Sequence, residues 1–268
     1  MITLWQDLKY GARIFIRSPG FTIVAILALA LGIGTNTSIF SVVNGVLLRP
    51  LPYPGSERLV WVGGTNAKRG ISDSSLSMPD YSDWKNQADA FESMAAFIQS
   101  GVILTTDNAE PERVPRALVT TSFFPTMAVN AVVGRYFSNE DERWGSAPVA
   151  VLSHGLWQRR FGSNPGIIGS RINLGGRPTT VIGVLPAGFD YPSKAQIYTP
   201  LKMEPEERRD NRYVNVLGRL KPTATLAGAQ SQIDTLNTRL QQQYPETNDG
   251  WTARLTGLQE WTTRDVRT

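Results

Sequence analysis

"GFTIVAILALALGIGTNTSIFSVVNGVLL", residues 20–48, is the stretch on which the reading of this chain turns. It carries no charged side chain, yet the polar "GTNTS" interrupts its middle. A membrane span, a cleaved signal peptide and a buried helix of a globular domain all have this general composition. A helix needs about 20 apolar residues to cross hydrocarbon. Phe21–Val43 supplies roughly 34 Å at 1.5 Å per residue. Its Leu, Ile, Val and Phe residues outweigh Asn36, the glycines and the hydroxyls on an insertion scale. "ALA" at 28–30 resembles a cleavage tripeptide, but the charged leader is long and the apolar pattern continues well past it. Few buried helices of globular domains stay uncharged for so long. A membrane span over residues 20–48 is expected.

The flanks orient it. Lys9, Arg13 and Arg17 precede the stretch, whereas Arg49 follows and is soon joined by Glu57 and Arg58. Positive charge collects on the cytoplasmic side, so the N-terminus is expected inside and the residues after about 50 outside. Before the span, Leu4, Trp5, Leu8, Ala12, Phe15 and Ile16 recur at helical spacing opposite the basic residues. Residues 1–19 then read as an amphipathic segment in the headgroup region. "RSPG" at 17–20 is expected to break that segment from the span. Gly32, Gly34, Asn36, Ser38 and Ser41, with Thr35 and Thr37, are the small and polar residues that let membrane helices pack closely. They are the candidate site residues of this stretch, for packing against other helices.

The rest of the chain is ordinary in composition. Over all 268 residues, 19% are charged and the net charge is +4; half of that excess sits in the first twenty residues. No basic stripe with interleaved aromatics is present, which argues against a nucleic-acid partner. The absence of cysteine excludes disulfides, thiolate metal sites and cysteine nucleophiles. His154 is the single histidine, with no partner at ligand spacing.

"RPLPYPGSERL" at 49–59 contains three prolines and reads as an extended linker, residues 49–57, ahead of a domain over 58–268. In that domain 58–64 reads as a strand. "MPDYSDWKNQADAFESMAAF" reads as a helix from about Tyr81. Residues 114–120 read as a strand, followed by a helical turn from Ser122. Residues 149–152 read as a strand, with Ser153 capping a helix to about Phe161. Residues 171–174 and 179–184 form a hairpin around "GGRP", and 213–220 another strand. Leu226, Ala229, Ile233, Leu236, Leu240 and Tyr244 mark an amphipathic helix over 225–244, and 251–258 closes as a strand. Interspersed strands and helices without a regular βαβ count give an α+β domain, expected as two lobes.

No chemistry emerges from side-chain constellations. "GIGTNT" at 32–37 lacks the lysine and the preceding strand of a phosphate loop. Glu140, Asp141 and Glu142 follow "GRYFSN" and read as a helix start capped by Ser138 or Asn139, rather than a cation site. His154 reads as a first-turn residue. Arg159, Arg160, Arg171 and Arg177 read as solvated surface, and Phe123 and Phe124 as core. No catalytic residue, metal site or cofactor is expected.

Three blocks in order carry a family resemblance: "DLKYGARIFIRSPGFTIVAILALALGIGTNTSIFSVVNGVLLRPLPYP", "EPERVPRALVTTSFFPTMAVNAVVGRYFSNEDE" and "VAVLSHGLWQRRFGSNPGIIGSRINLGGRPTTVIGVLPAGFDYP". They resemble the MacB/FtsX-like ABC transporter permeases, in particular the acidobacterial-type orphan permeases. The resemblance implies one N-terminal transmembrane helix followed by a MacB-like periplasmic core domain, in the inner membrane. In the family, three further helices come from an FtsX-like domain that contacts an ABC ATPase. This sequence stops near "LQEWTTRDVRT", so the expectation is a truncated or split permease that does not transport alone. Its expected partners are the lipid bilayer, the remaining permease half or a full-length permease, indirectly the ATPase, and a second copy of itself. A single-span anchored binding module without transport activity is the other expectation, and an inactive remnant a third.

Overall fold

The computed structural model describes residues 19–43, 51–106, 109–204 and 206–264. The chain divides between Pro50 and Leu51 into two compact units. In the first, helix α1 (Pro19–Val43) runs for 25 residues without an acidic or basic side chain in its end turns. Pro19 stands at the start of this helix, where proline's fixed φ and missing N–H suit a first turn. Phe21, Ile23, Val24, Ile26, Leu27, Leu29, Leu31 and Ile33 are all exposed and spread round the helix. Asn36 is exposed as well, and a Cβ at Gly32 or Gly34 would meet nothing within 4 Å. The side chains of Ser38 and Ser41, the leader 1–18 and residues 44–48 of the expected span lie outside the described residues.

The expected span is not established by the fold. Among the described residues no helix is long and apolar enough to cross a membrane. The apolar residues 45–48 of the expected span are not among those described.

The second unit is built on one strand path. Its twelve strands among the described residues are β1 (Leu59–Asn66), β2 (Ile71–Ser74), β3 (Leu76–Ser77), β4 (Phe91–Thr106), β5 (Ala109–Val119), β6 (Val133–Gly134), β7 (Val149–Leu152), β8 (Arg171–Leu174), β9 (Arg177–Val184), β10 (Ile197–Pro200), β11 (Arg212–Leu220) and β12 (Trp251–Gly257). The order along the path is β12-β1-β11-β4-β5-β10-β7-β9-β6. β5–β10 and β7–β9 are parallel, and the other pairs antiparallel. Two lobes were expected; one strand path joins β1 to β12, because β5 pairs along its length with residues 97–106 of β4 and hands the path on to β10.

Alternation places the core on both faces of the sheet. On β1, Val60 and Val62 join one hydrophobic cluster, and Leu59 and Trp61 join another. On β4, Met94 and Ala96 face the first, Ala95 and Phe97 the second. Helices α2 (Met78–Gln87) and α6 (Leu226–Gln243) cover the first face through Tyr81, Trp84, Ala229, Ile233, Leu236 and Leu240. Helix α3 (Phe123–Met127) covers the second. A third cluster lies around β7, β8, β9 and Leu156 of α5 (His154–Phe161).

The hairpin, the Ser153-capped helix, the 213–220 strand and the long amphipathic helix stand where the sequence predicts them. The stretch 78–97 differs. α2 starts at Met78, with the N–H of Asp80 donating to Ser77 Oγ at 3.2 Å, and ends at Gln87. Phe91–Phe97 belongs to strand β4. Met94, Ala95, Ala96 and Phe97 are all at most 1% exposed. Four consecutive buried residues suit a central strand covered on both faces, whereas a surface helix buries one stripe. The short strand β10 was not foreseen.

The acidic run starts a short helix, α4 (Asn139–Glu142), with a reciprocal capping box between Ser138 and Asp141. Asp141 also pairs with Arg135 at 2.6 Å. Burial pushes its carboxyl up, but the bonds from Arg135 and Ser138 more than reverse this, leaving it below the usual range. A carboxylate with a lowered folded-state pKa contributes stability above its unfolded value, about 3.9, and loses it as pH falls through the folded value. Asp141→Asn is therefore expected to lower stability by about 1–2 kcal/mol at pH 7. The gap from the unsubstituted chain should close progressively below about pH 4; denaturation midpoints of the two chains across pH check this.

Candidate functional site

The functional geometry lies in how the second unit holds its own two ends. The peptide before β1 was expected to be an extended spacer, but Leu51 and Tyr53 pack against the cluster of Leu59, Phe97, Phe123 and Phe189. The Tyr53 ring meets Phe189 edge-on at 5.6 Å and Tyr191 at 6.3 Å. Burial, with a contribution from Asp190, pushes the Tyr53 phenol up to about 12.

Arg219 of β11 fixes this peptide from inside. It is 2% exposed. Its Nε donates to the Thr126 carbonyl at 2.7 Å, its Nη1 to the Gly55 carbonyl at 3.0 Å and its Nη2 to the Pro54 carbonyl at 3.0 Å. Thr126 lies in the last turn of α3, where backbone carbonyls lack helical partners. Burial lowers the Arg219 pKa, and neighbouring Arg58 adds to the effect, yet guanidinium stays charged in proteins. Gly55 adopts φ 63°, and a Cβ there would stand 2.8 Å from Arg219 Nη1. Glycine is needed on both counts. Arg58 extends the contact, bonding Glu92 and the Leu220 carbonyl.

The other end of the unit returns to the same place. Helix α8 (Leu258–Thr263) follows β12 directly and touches the turn at Ser56–Arg58. Leu258 is fully buried in the same cluster as Leu59. Trp261 stacks on Trp61, centroids 4.3 Å apart and planes 12° from parallel. The Arg264 guanidinium lies over Trp261 and pairs with Asp73 at 3.0 Å.

A second polar knot ties the opposite face. Asp80 of α2 is 2% exposed and accepts from Arg209, Arg212 and the Asn248 amide of the short helix α7 (Pro245–Asn248), each at 2.9 Å. Arg209 also pairs with Asp83 at 2.7 Å and lies over Tyr244. Arg212 lies over Trp251. Burial pulls the Arg212 pKa down despite Asp80; for Arg209 burial pulls the same way, but the two carboxylates prevail and raise it. Removing one member of such a buried set leaves an uncompensated charge.

The residues singled out in the sequence take structural roles. His154 opens α5 and meets Trp157 edge-on at 5.5 Å. Glu142 accepts from the Thr121 N–H and hydroxyl. No group of three or more His, Asp or Glu that could hold a metal occurs among the described residues. Arg159 makes a bidentate pair with Glu112, and Arg160 donates to the Glu110 carbonyl, so the four arginines do not converge on one anion site. Phe123 and Phe124 are fully buried. Arg219, Asp80, Arg209 and Arg212 were not foreseen. The available signal was an arginine inside the apolar strand "YVNVLGRL", since a charge on a buried strand must have partners.

Arg219→Met keeps an unbranched apolar stem but leaves three carbonyls without their donor. We expect a loss of about 2–4 kcal/mol. Hydrogen exchange of the 53–58 amides should accelerate, while that of β7 and β9 stays unchanged.

The chain matches the family described as MacB-like periplasmic core domain over residues 22–236. It is similar to three solved structures. A domain assigned to a permease protein of Porphyromonas gingivalis is 17% identical, with a TM-score of 0.60, over 77% of this chain and 93% of that one. The periplasmic region of MacB from Actinobacillus actinomycetemcomitans is 15% identical, with a TM-score of 0.57, over 80% and 94%. The extracellular domain of the noncanonic ABC-type transporter YknZ from Gram-positive bacteria is 16% identical, with a TM-score of 0.54, over 73% and 98%. No curated protein matches.

Proposed function

The chain belongs to the MacB-like periplasmic core domain family, and on that premise we propose that it is the membrane-anchored extracytoplasmic part of an ABC-type permease. The carrying observation is the meeting of both ends of the second unit. Arg219 pins the incoming peptide at Pro54–Gly55, and the outgoing α8 lies against the Ser56–Arg58 turn. A domain held this way passes force applied at its base into the central sheet, because Arg219 stands on β11 and its third partner on α3. Its role is mechanical and recognitional, not catalytic.

In this reading α1 together with residues 44–48 crosses the inner membrane once, with the N-terminus in the cytoplasm. The support is a charge-free helix exposing eight large apolar side chains on all sides, together with the basic leader. Residues 1–19 lie at the cytoplasmic face, 49–57 connect, and 58–268 form the periplasmic core. Gly32, Gly34, Asn36, Ser38 and Ser41 pack against further membrane helices of a permease, which carry the link to an ABC ATPase. The competing reading, a single-span anchored binding module, differs in needing no such helices.

Two measurements test this reading, the first its orientation and the second its partners. The chain has no cysteine, so Glu206→Cys places a unique thiol on the second unit. Impermeant maleimide should label it from the periplasm in intact cells; labelling only after lysis would overturn the orientation. Affinity purification from membranes should recover a permease polypeptide and an ATPase, and Gly32→Leu, Gly34→Leu and Asn36→Leu together should reduce that recovery at least ten-fold. Recovery of the chain alone would favour the anchored module.

A further inference from the structure

A concave site on one face of the sheet is used by nothing described above. It is lined from β5, β9 and β10 and from the loop before β7, and encloses about 280 Å³. Drug-sized sites run from roughly 300 to 1,000 Å³, so this one takes a small ligand or the end of a longer one. Arg116 and Leu118 alternate along β5, so both point to this face. Thr199 on β10 is in register with Leu118 and joins them. Arg177 of β9 and Lys202 complete the polar part, and Trp144 stands at the site, 59% exposed.

Three features make this more than a dent. Arg116, Arg177 and Lys202 bring three cations to one cavity, and none has a carboxylate within ion-pair distance among the described residues. Among the described residues, the Arg116 side chain donates only to Ser100 Oγ at 3.1 Å and the Lys202 side chain only to the Ser146 carbonyl at 2.7 Å. Thr199 Oγ1 is enclosed and has no hydrogen-bond partner among the described residues, an exception to the rule that buried polar groups are paired. Leu118 and the exposed indole of Trp144 supply apolar wall beside the cations. Burial lowers the pKa of both Arg116 and Lys202, and for Lys202 it outweighs the opposing pull of Asp141. The one acid acting on Lys202 is Asp141, already occupied by Arg135 and Ser138.

We propose that this cavity binds a small anionic amphiphile, its charged head among Arg116, Arg177 and Lys202 with Thr199 donating to it, and its apolar tail against Leu118 and Trp144. The head is an oxyanion, carboxylate or phosphate. The site lies wholly within the second unit, so it stands whether or not the chain couples to a permease.

The test uses the full chain in phosphatidylcholine nanodiscs, titrated separately with hexyl phosphate, hexanoate, inorganic phosphate and hexanol. The reading is tryptophan emission, corrected by the Trp144→Phe chain. Hexyl phosphate or hexanoate should give a saturable change that Trp144→Phe abolishes, and whichever binds more tightly identifies the head. Inorganic phosphate and hexanol, each carrying half of the ligand, should bind at least ten-fold more weakly. Arg116→Gln with Arg177→Gln should weaken the amphiphile at least ten-fold with the thermal transition retained. Thr199→Val, which removes the unpaired hydroxyl and keeps the shape, should weaken it several-fold. The proposal falls if hexanol binds as tightly as the charged ligands, if the paired glutamine variant binds unchanged, or if no ligand gives a saturable response.

Discussion

Everything in the second unit hangs from the pairing of β4. This strand is hydrogen-bonded to β11 along one edge and to β5 along the other, and near its end it also takes β8. Its side chains alternate between two cores, Met94 and Ala96 into one, Ala95 and Phe97 into the other. Each face can then be closed only by a separate layer: α2 and α6 on one side, α3 with the arriving peptide and α8 on the other. The polar knots follow from that division. Asp80 ties α2 to β11 and the segment after α6, and Arg219 ties β11 to α3 and the peptide at 54–55. Both sets draw on β11, the neighbour of β4, so the two faces are linked through one strand.

Local signals in the sequence were good guides where local physics decides. Ser153 before an apolar-periodic run, glycines between two β-branched stretches and the 3–4 spacing from Ala229 to Leu240 each specify their element within a few residues. They failed where the answer depends on distant chain. "SMAAF" has the alanines and methionine of a helix, and only the pairing with distant β11 makes it a strand. β10 is four residues long and earns its place by parallel pairing with β5, more than seventy-five residues earlier. No window of sequence contains that information.

The site was legible only in outline. The family resemblance rests on blocks that recur in order, and the match over residues 22–236 and the shared fold agree with it. The proline-rich linker was read from proline stiffness alone, which describes the free peptide. Its docking depends on Tyr53 finding Phe189 and Tyr191 and on one arginine far along the chain. The cavity beside Trp144 was invisible for a similar reason, since its cations come from β5, β9 and the residue two beyond β10. Arg177 was read correctly as exposed, but company, not exposure, decides what a cation can do.

All three acceptors of Arg219 are main-chain carbonyls. The fastening therefore depends on the path of the backbone and hardly on which side chains sit at 54 and 126; position 55 is the exception, because any Cβ there would crowd the guanidinium. A junction fastened in this way tolerates sequence drift on the side it grips and almost none on the side that grips. Homologous chains could alter the peptide that leads to their domain quite freely and still keep it fastened, as long as the arginine and the glycine remained.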